Sequence, residues 1–381
     1  MAKLFADRSS DLALRALRPF VESWMRKVAS RADCVGPGVD FKRDKPFLLL
    51  ANHSFAMDVV QVPLPFAITP HIVASRDLFV SPALRFVLTF VARCIMATKG
   101  GGDLRTVAGI RAAVASGYPV LLFPEGDISF FGQSAPLPKS AAALARSLGL
   151  DVITCRVAGG YLSLPRWAKS PREGRRIELC YELALRGDEI GGMGLPEIHE
   201  ALASRLSHDE WAFQKRAMIA RPSRAPAEGL EDILYVCPDC HGILSMRASG
   251  ARLYCSRCGA DGRLDDYGFL EGWPFRTLAE WDAFQRCYDD ELRASSFETG
   301  GELWIHDYAK LTRRRLGRAI VRYGAGELDI EGEVRLVAGR GELRELALTG
   351  RSDLNFGLGG VDYFLRLDGL ALPLLRALGA A

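Results

Sequence analysis

The chain has 381 residues, 49% of them hydrophobic and 25% charged, with a formal net charge of +3. That length calls for two or three domains. The composition excludes a disordered or fibrous chain. The near balance of charge excludes a uniformly basic polyanion binder, so any affinity for nucleic acid or anionic lipid must come from local patches.

Met1 to Ser10 contains no continuous apolar stretch of the signal-peptide kind. No window of about 18 residues is free of charge, so no transmembrane helix is expected. The nearest candidate, Phe79 to Ala97, is broken by Arg85 and Arg93. Nine cysteines, an odd number, with no secretion signal argue for a reducing cytoplasm rather than a disulfide framework.

Residues 1–40 form an expected amphipathic helical region. Leu14, Leu17, Val21, Trp24, Met25 and Val28 recur at helical spacing between Asp11 and Arg31, with Arg15, Arg18, Arg26, Lys27 and Arg31 mostly opposite and Pro19 at a kink. Such a face either packs on the next domain or lies in a lipid interface.

Residues 41–220 alternate strand and helix. Apolar runs at Phe47–Leu50, His71–Ala74, Cys94–Ala97, Val120–Phe123, Val152–Val157 and Ile177–Leu183 read as strands. Pro82–Ala92, Leu104–Ala115 and Ser140–Leu148 read as helices, and Asp188–Ala220 as largely helical. This order predicts an α/β fold, a largely parallel mixed sheet flanked by helices. Arg221–Pro226 reads as a linker.

Residues 230–268 hold Cys237-Pro238-Asp239-Cys240 and, 14 residues on, Cys255-Ser256-Arg257-Cys258. Two such knuckles can wrap one tetrahedral Zn²⁺ per chain through Cys237, Cys240, Cys255 and Cys258. Four thiolates close the shell, so the ion would be structural, a staple for a small zinc ribbon without a core of its own. Arg247, Arg252, Arg257 and Arg263 would suit nucleic acid, but Asp239, Asp261, Asp265 and Asp266 weigh against it. Residues 269–381 are expected to be a helix, Leu278–Leu292, followed by a small antiparallel β domain with alternating pairs such as Leu328/Ile330 and Leu346/Leu348. The strand and turn pattern loosely resembles small β modules of the pleckstrin-homology type.

The chemistry concentrates in two motifs, Asn52-His53-Ser54-Phe55-Ala56-Met57-Asp58 and Phe123-Pro124-Glu125-Gly126, each directly after a strand. If those strands are parallel, His53 and Glu125 emerge at one carboxyl edge of the sheet, where ligand sites form in open α/β folds. Five residues along a helix turn about 140°. His53 and Asp58 would not share a helix face, so the pair works better if His53 lies in the loop before the helix and Asp58 in its first turns. Asp58 could then fix the imidazole tautomer while the other ring nitrogen takes a proton.

These motifs resemble the glycerolipid acyltransferase superfamily, typified by lysophosphatidate acyltransferases, which carries Asn-His, four residues, Asp, and later Phe-Pro-Glu-Gly. The resemblance covers about Phe47 to Ala220. It implies His53 as general base on an acceptor hydroxyl, oriented by Asp58. Asn52, Pro124, Glu125 and Gly126 would bind substrate, and Lys99 would stand where the family has a phosphate-contacting arginine. The donor would be an acyl thioester, acyl-CoA or acyl-carrier protein, and the acceptor a lysophospholipid or related amphiphile. The protein would sit peripherally on the inner face of the cell membrane; nothing in the sequence sets its oligomeric state. Asp127-Ile128-Ser129 replaces the usual Thr-Arg-Ser after Phe-Pro-Glu-Gly, and Ile153-Thr154-Cys155 replaces Val-Pro-Val. Gly159-Gly160-Tyr161 and Pro165-Arg166-Trp167 look like motifs of a bacterial subgroup with a zinc ribbon, and a structural turn is the simplest role for them.

Two other functions fit the residues. One is a catalytically degenerate acyltransferase-like scaffold or regulatory binder using the ribbon. The other is a metal-dependent hydrolase using His53, Asp58, His71 and Glu125.

Overall fold

The computed structural model describes residues 9–98 and 104–379. It divides into two compact units. One comprises the chain up to Leu164 together with Gly174–Ile219; the other comprises Pro165–Glu173 and Ala220 onward.

The first unit opens with helix α1 (Ser9–Val28) and strand β1 (Ser30–Val35). Strand β2 (Leu48–Ala51), helix α2 (Asp58–Gln61), strand β3 (His71–Ser75) and helix α3 (Pro82–Phe86) follow. The expected helix Pro82–Ala92 does not continue as an α-helix: residues 87–91 form a π turn, with the Ala92 N–H donating to Val87 O at 2.8 Å. Then come β4 (Ile95–Ala97), α4 (Leu104–Ala115), β5 (Val120–Leu122), α5 (Lys139–Leu148), β6 (Val152–Ala158) and α6 (Gly160–Ser163). The unit ends with β7 (Arg176–Leu185), α7 (Gly187–Ile190), α8 (Leu195–Leu206) and α9 (Glu210–Ala217).

The seven strands run in the order β1-β7-β6-β2-β5-β3-β4. Strands β2 to β6 are parallel to their neighbours among themselves; β7 joins antiparallel to β6, and β1 parallel to β7. The fold is thus a largely parallel mixed α/β sheet. Strand β1, within the expected helix and just beyond it, is a mostly exposed edge strand. Its polar sequence SRADCV carries no alternation from which a strand could be read.

The central strands are buried on both faces, which is why they read as continuous apolar runs. Leu48 and Leu50 pack with Ala142 and Ala145 of α5 and Ile198, Leu202 and Leu206 of α8. Ile95 and Val120 pack with Ile110 and Ala113 of α4. Helix α2 is tied at its far end, where Arg31 Nη1 donates to Gln61 O at 2.8 Å and Tyr181 OH to Val62 O at 2.8 Å. On α1, Met25 is buried, whereas Leu17, Phe20 and Trp24 are exposed beside exposed Arg26 and Lys27.

The second unit begins with a four-stranded antiparallel sheet: β8 (Met246–Ser249), β9 (Arg252–Cys255), β10 (Asp261–Leu264) and β11 (Leu270–Glu271). The expected single helix Leu278–Leu292 is two, α10 (Leu278–Gln285) and α11 (Asp289–Ala294), joined by a 3-10 turn over 286–288. Seven further antiparallel strands follow: β12 (Phe297–Asp307), β13 (Thr312–Gly324), β14 (Glu327–Glu331), β15 (Arg335–Gly339), β16 (Arg344–Thr349), β17 (Asp353–Leu358) and β18 (Val361–Leu367). Helix α12 (Ala371–Ala377) closes the unit, every residue of it buried. Arg376 of α12 bonds Asp282 of α10 at 2.7 Å and the Tyr235 hydroxyl at 2.8 Å, tying the β domain's closing helix to the segments flanking the cysteines.

The stretch 165–173, placed by the sequence within a continuous 41–220 domain, belongs structurally to this second unit. Trp167 is fully buried, and Arg172 lies 5.4 Å over its ring while donating to Pro226 O at 3.2 Å. Arg166 donates to Gly350 O at 2.7 Å. Pro165-Arg166-Trp167 is therefore a packing anchor.

Candidate functional site

Strands β2 and β5 are adjacent, parallel and in register, Leu50 opposite Leu122. The residues that leave their carboxyl ends, His53 and Glu125, therefore emerge side by side. The His53 ring stacks on Phe123, centroids 4.5 Å apart. The Glu125 carboxylate accepts the His53 backbone N–H at 3.1 Å and the Ala135 N–H at 2.9 Å. One side chain thus ties the loop after β2 to the loop after β5. Gly126 closes a tight turn, its N–H donating to Phe123 O at 3.1 Å, with φ of +73°, a conformation only glycine adopts without strain.

His53 lies in the loop, and Asp58 is the first residue of α2. Nδ1 of His53 is 2.9 Å from Asp58 Oδ1 and 3.1 Å from Oδ2. The Asp58 carboxylate is fully buried and also accepts the N–H groups of Ser54 at 2.9 Å and Phe55 at 3.2 Å. Donation from Nδ1 leaves Nε2 as the ring's acceptor. The His53 side chain keeps 16% of its surface exposed. Burial works against the imidazolium, but the Asp58 carboxylate, helped by Asp127 and Glu125, outweighs it and holds the His53 pKa above its ordinary 6.5. Burial pushes Glu125 up to about 7, against the two N–H bonds that favour its charged form.

Asn52 is engaged with strand β6. Only 2% exposed, it donates through Nδ2 to Val157 O at 3.0 Å and accepts the Val157 N–H at Oδ1 at 2.7 Å. Its amide replaces a stretch of backbone ladder with β6 where β2 has ended, which gives it a structural role beside the site. Pro124 is partly buried in the tight turn, and Lys99 lies outside the described residues. His71 belongs elsewhere: it is buried at the amino end of β3, paired with Val120, whereas Glu125 follows the carboxyl end of β5. The parallel register keeps it away from His53, so the four residues of the hydrolase reading do not assemble.

The loop after β5 is held by residues outside the two motifs. The Ser129 N–H donates to His53 O at 3.2 Å, and Ser129 Oγ accepts the Gly132 N–H at 2.9 Å. Tyr161 OH donates to Phe130 O at 2.8 Å, and Trp211 Nε1 to Phe131 O at 2.7 Å. Tyr161 was visible in a motif; Trp211 gave only an apolar position on a helix.

In the second unit the four cysteine sulfurs all lie within 4.8 Å of one another. Cys237 Sγ is 3.8 Å from Cys258 Sγ, and Cys240 Sγ 3.7 Å from Cys255 Sγ. They are the one group of three or more potential ligands found among the described residues, and they could hold a metal ion.

Residues 37–158 match the family model described as Acyltransferase. A curated relative, a 1-acyl-sn-glycerol-3-phosphate acyltransferase of Chlamydomonas reinhardtii, is 24% identical over 170 residues, 43% of this chain and 49% of the relative. The chain thus spans about half the length of that relative. Among solved structures, the 1-acyl-sn-glycerophosphate (LPA) acyltransferase PlsC of Thermotoga maritima aligns with a TM-score of 0.41 at 18% identity, over 56% of this chain and 86% of that one.

Replacing Asn52 with Ala is expected to destabilise the first unit by about 1–3 kcal/mol for each backbone group of Val157 left unpaired, read as a lower denaturant midpoint; an unchanged midpoint would contradict its role as a ladder substitute. Both motifs that meet at the carboxyl edge of the sheet lie within residues 37–158, the span that matches the Acyltransferase family model.

Proposed function

We propose that the protein is an acyltransferase that moves a fatty acyl group from an acyl thioester, acyl-CoA or acyl-carrier protein, to the hydroxyl of a lysophospholipid or related amphiphilic alcohol. The observation that carries this reading is the buried Asp58 carboxylate 2.9 Å from His53 Nδ1, beside Glu125. Nε2 of His53 takes the hydroxyl proton as the oxygen attacks the thioester carbonyl carbon. Collapse of the tetrahedral intermediate breaks the C–S bond, and the imidazolium returns its proton to the departing thiolate. Glu125 and Gly126 shape the acceptor side, with Lys99 as the phosphate contact.

The Cys237, Cys240, Cys255 and Cys258 cluster suits a structural Zn²⁺. A tetrahedron with Zn–S of about 2.3 Å has edges of about 3.8 Å, matching the two sulfur pairs at 3.7 and 3.8 Å. Such an ion would fix the knuckles and take no part in the chemistry.

A peripheral seat on the membrane fits α1. Phe20 is 74% exposed and Trp24 49%, with Arg26 and Lys27 exposed beside them. Apolar side chains flanked by cations suit an anionic lipid interface.

His53→Ala is expected to lower kcat by about 10²–10⁴-fold in an assay of lipid extract with labelled acyl thioester; wild-type protein that transfers nothing would favour the scaffold reading. The base must be neutral to act, so activity should rise with pH through an apparent value above 6.5. Asp58→Asn removes the carboxylate that raises His53 and should move that limb to lower pH. Elemental analysis should find about one zinc per chain, lost in Cys237→Ser; another metal, or zinc that survives the substitution, would overturn the assignment. The double variant Phe20→Glu, Trp24→Glu should lose co-sedimentation with anionic phospholipid vesicles, and equal binding would place the docking face elsewhere.

A further inference from the structure

Beyond the two motifs, a third element reaches the site from residues outside the matched span. Glu210, first residue of α9, is fully buried. Its Oε2 accepts the Gly159 N–H at 2.9 Å and lies 3.0 Å from His208 Nε2, and its Oε1 accepts the Leu162 N–H at 3.3 Å. These bonds fix the start of α6. There Gly160 presses directly on the catalytic loop: a Cβ at this position would clash with Ser54 Oγ and sit 2.6 Å from Phe55 Cδ1. Ser54 and Phe55 are the residues whose N–H groups hold Asp58. The backbone of Glu210 serves the other loop, its N–H donating to Gly132 O at 2.8 Å.

We propose that Glu210, acting through Gly159, Gly160 and Leu162, is a positioning residue that holds the Ser54–Phe55 turn and thereby the His53–Asp58 pair. The chain of contacts is continuous from Glu210 to α6, from Gly160 to Ser54 and Phe55, from their N–H groups to Asp58, and from Asp58 to His53. Each residue of Gly159-Gly160-Tyr161 then has a place in the site. Gly159 gives its N–H to Glu210, glycine at 160 lets α6 touch the loop, and Tyr161 secures the opposite one. As a proposal about catalysis, this rests on the acyltransferase reading.

Two variants test it. Glu210→Gln is isosteric but removes one acceptor from the α6 N–H groups; Gly160→Ala adds the clashing methyl. The groups facing His53 are Asp58 from α2 and Glu125 and Asp127 from the loop after β5. If the turn shifts, Asp58 loosens from Nδ1 while burial of the ring remains, so the His53 titration followed by NMR should move to lower pH in both variants. In the acyl-transfer assay kcat should fall on the order of 10²-fold, the scale of a 1 Å misplacement, with KM little changed. Leu202→Ala, in the α8 core, controls for stability: it should lower Tm without moving the His53 titration. A wild-type His53 titration in both variants, with Tm lowered as in Leu202→Ala, overturns the proposal. Should Gly160→Ala fail to fold, the isosteric Glu210→Gln decides alone. The titration is read on ligand-free protein, so its failure is separable from failure of the acyltransferase reading, which would show instead as activity retained in His53→Ala or absent from the wild type.

Discussion

The Asp58 carboxylate joins three neighbours along the chain: the start of α2, the Ser54–Phe55 turn and the His53 imidazole. A fully buried carboxylate persists only when its lone pairs are satisfied. Here two backbone N–H groups and a histidine nitrogen converge on Oδ2, and the same nitrogen lies 2.9 Å from Oδ1, so the loop's path follows the charge it encloses. The same bonds fix the ring's tautomer. Packing of the loop and readiness of the base are one constraint.

Around that centre the sheet supplies alignment and side chains extend it. Register between β2 and β5 brings His53 beside Glu125. Where the β2 ladder ends, Asn52 continues the pairing with β6 through its amide. Glu125 then bridges the two loops with hydrogen bonds to backbone N–H groups. Two polar side chains, Asn52 and Glu125, thus replace backbone pairing at the point where the strands stop and irregular chain must hold a fixed shape. Buried polar networks of this kind rigidify only when every member is satisfied.

The second unit is built by a different rule. Its cysteine ribbon is a small antiparallel sheet that buries Val236, Met246, Leu253 and Leu264, and its β domain is an open antiparallel sheet closed by a buried helix. Its outer face is laced with exposed Arg–carboxylate pairs such as Arg318–Asp368 and Arg322–Glu331. Exposed pairs of this kind contribute little each, but they neutralise the arginine-rich strand β13.

By itself the sequence determined the α/β class, the order of the central strands along the chain, the cysteine knuckles and the two motifs. Each depends on local periodicity or on fixed spacing. It missed β12 and β13 for a physical reason. Gly300 and Gly301 interrupt one strand; the exposed run Arg313 to Arg315, followed by a bulge at Leu316–Gly317, hides alternation in the other. The pairing of Asn52 with Val157, 105 positions away, was not legible either, because the residue type carries no mark of a distant partner. Glu210 gave no local signal and Trp211 only an apolar position, since their partners lie in loops distant along the chain. Tertiary structure alone decided where His71 falls, that residues 165–173 belong with the second unit, and which side chains brace the loops. Sequence patterns report which face of an element is apolar. Which polar group meets which across a sheet edge depends on strand order and register, and those are set only when the whole sheet assembles.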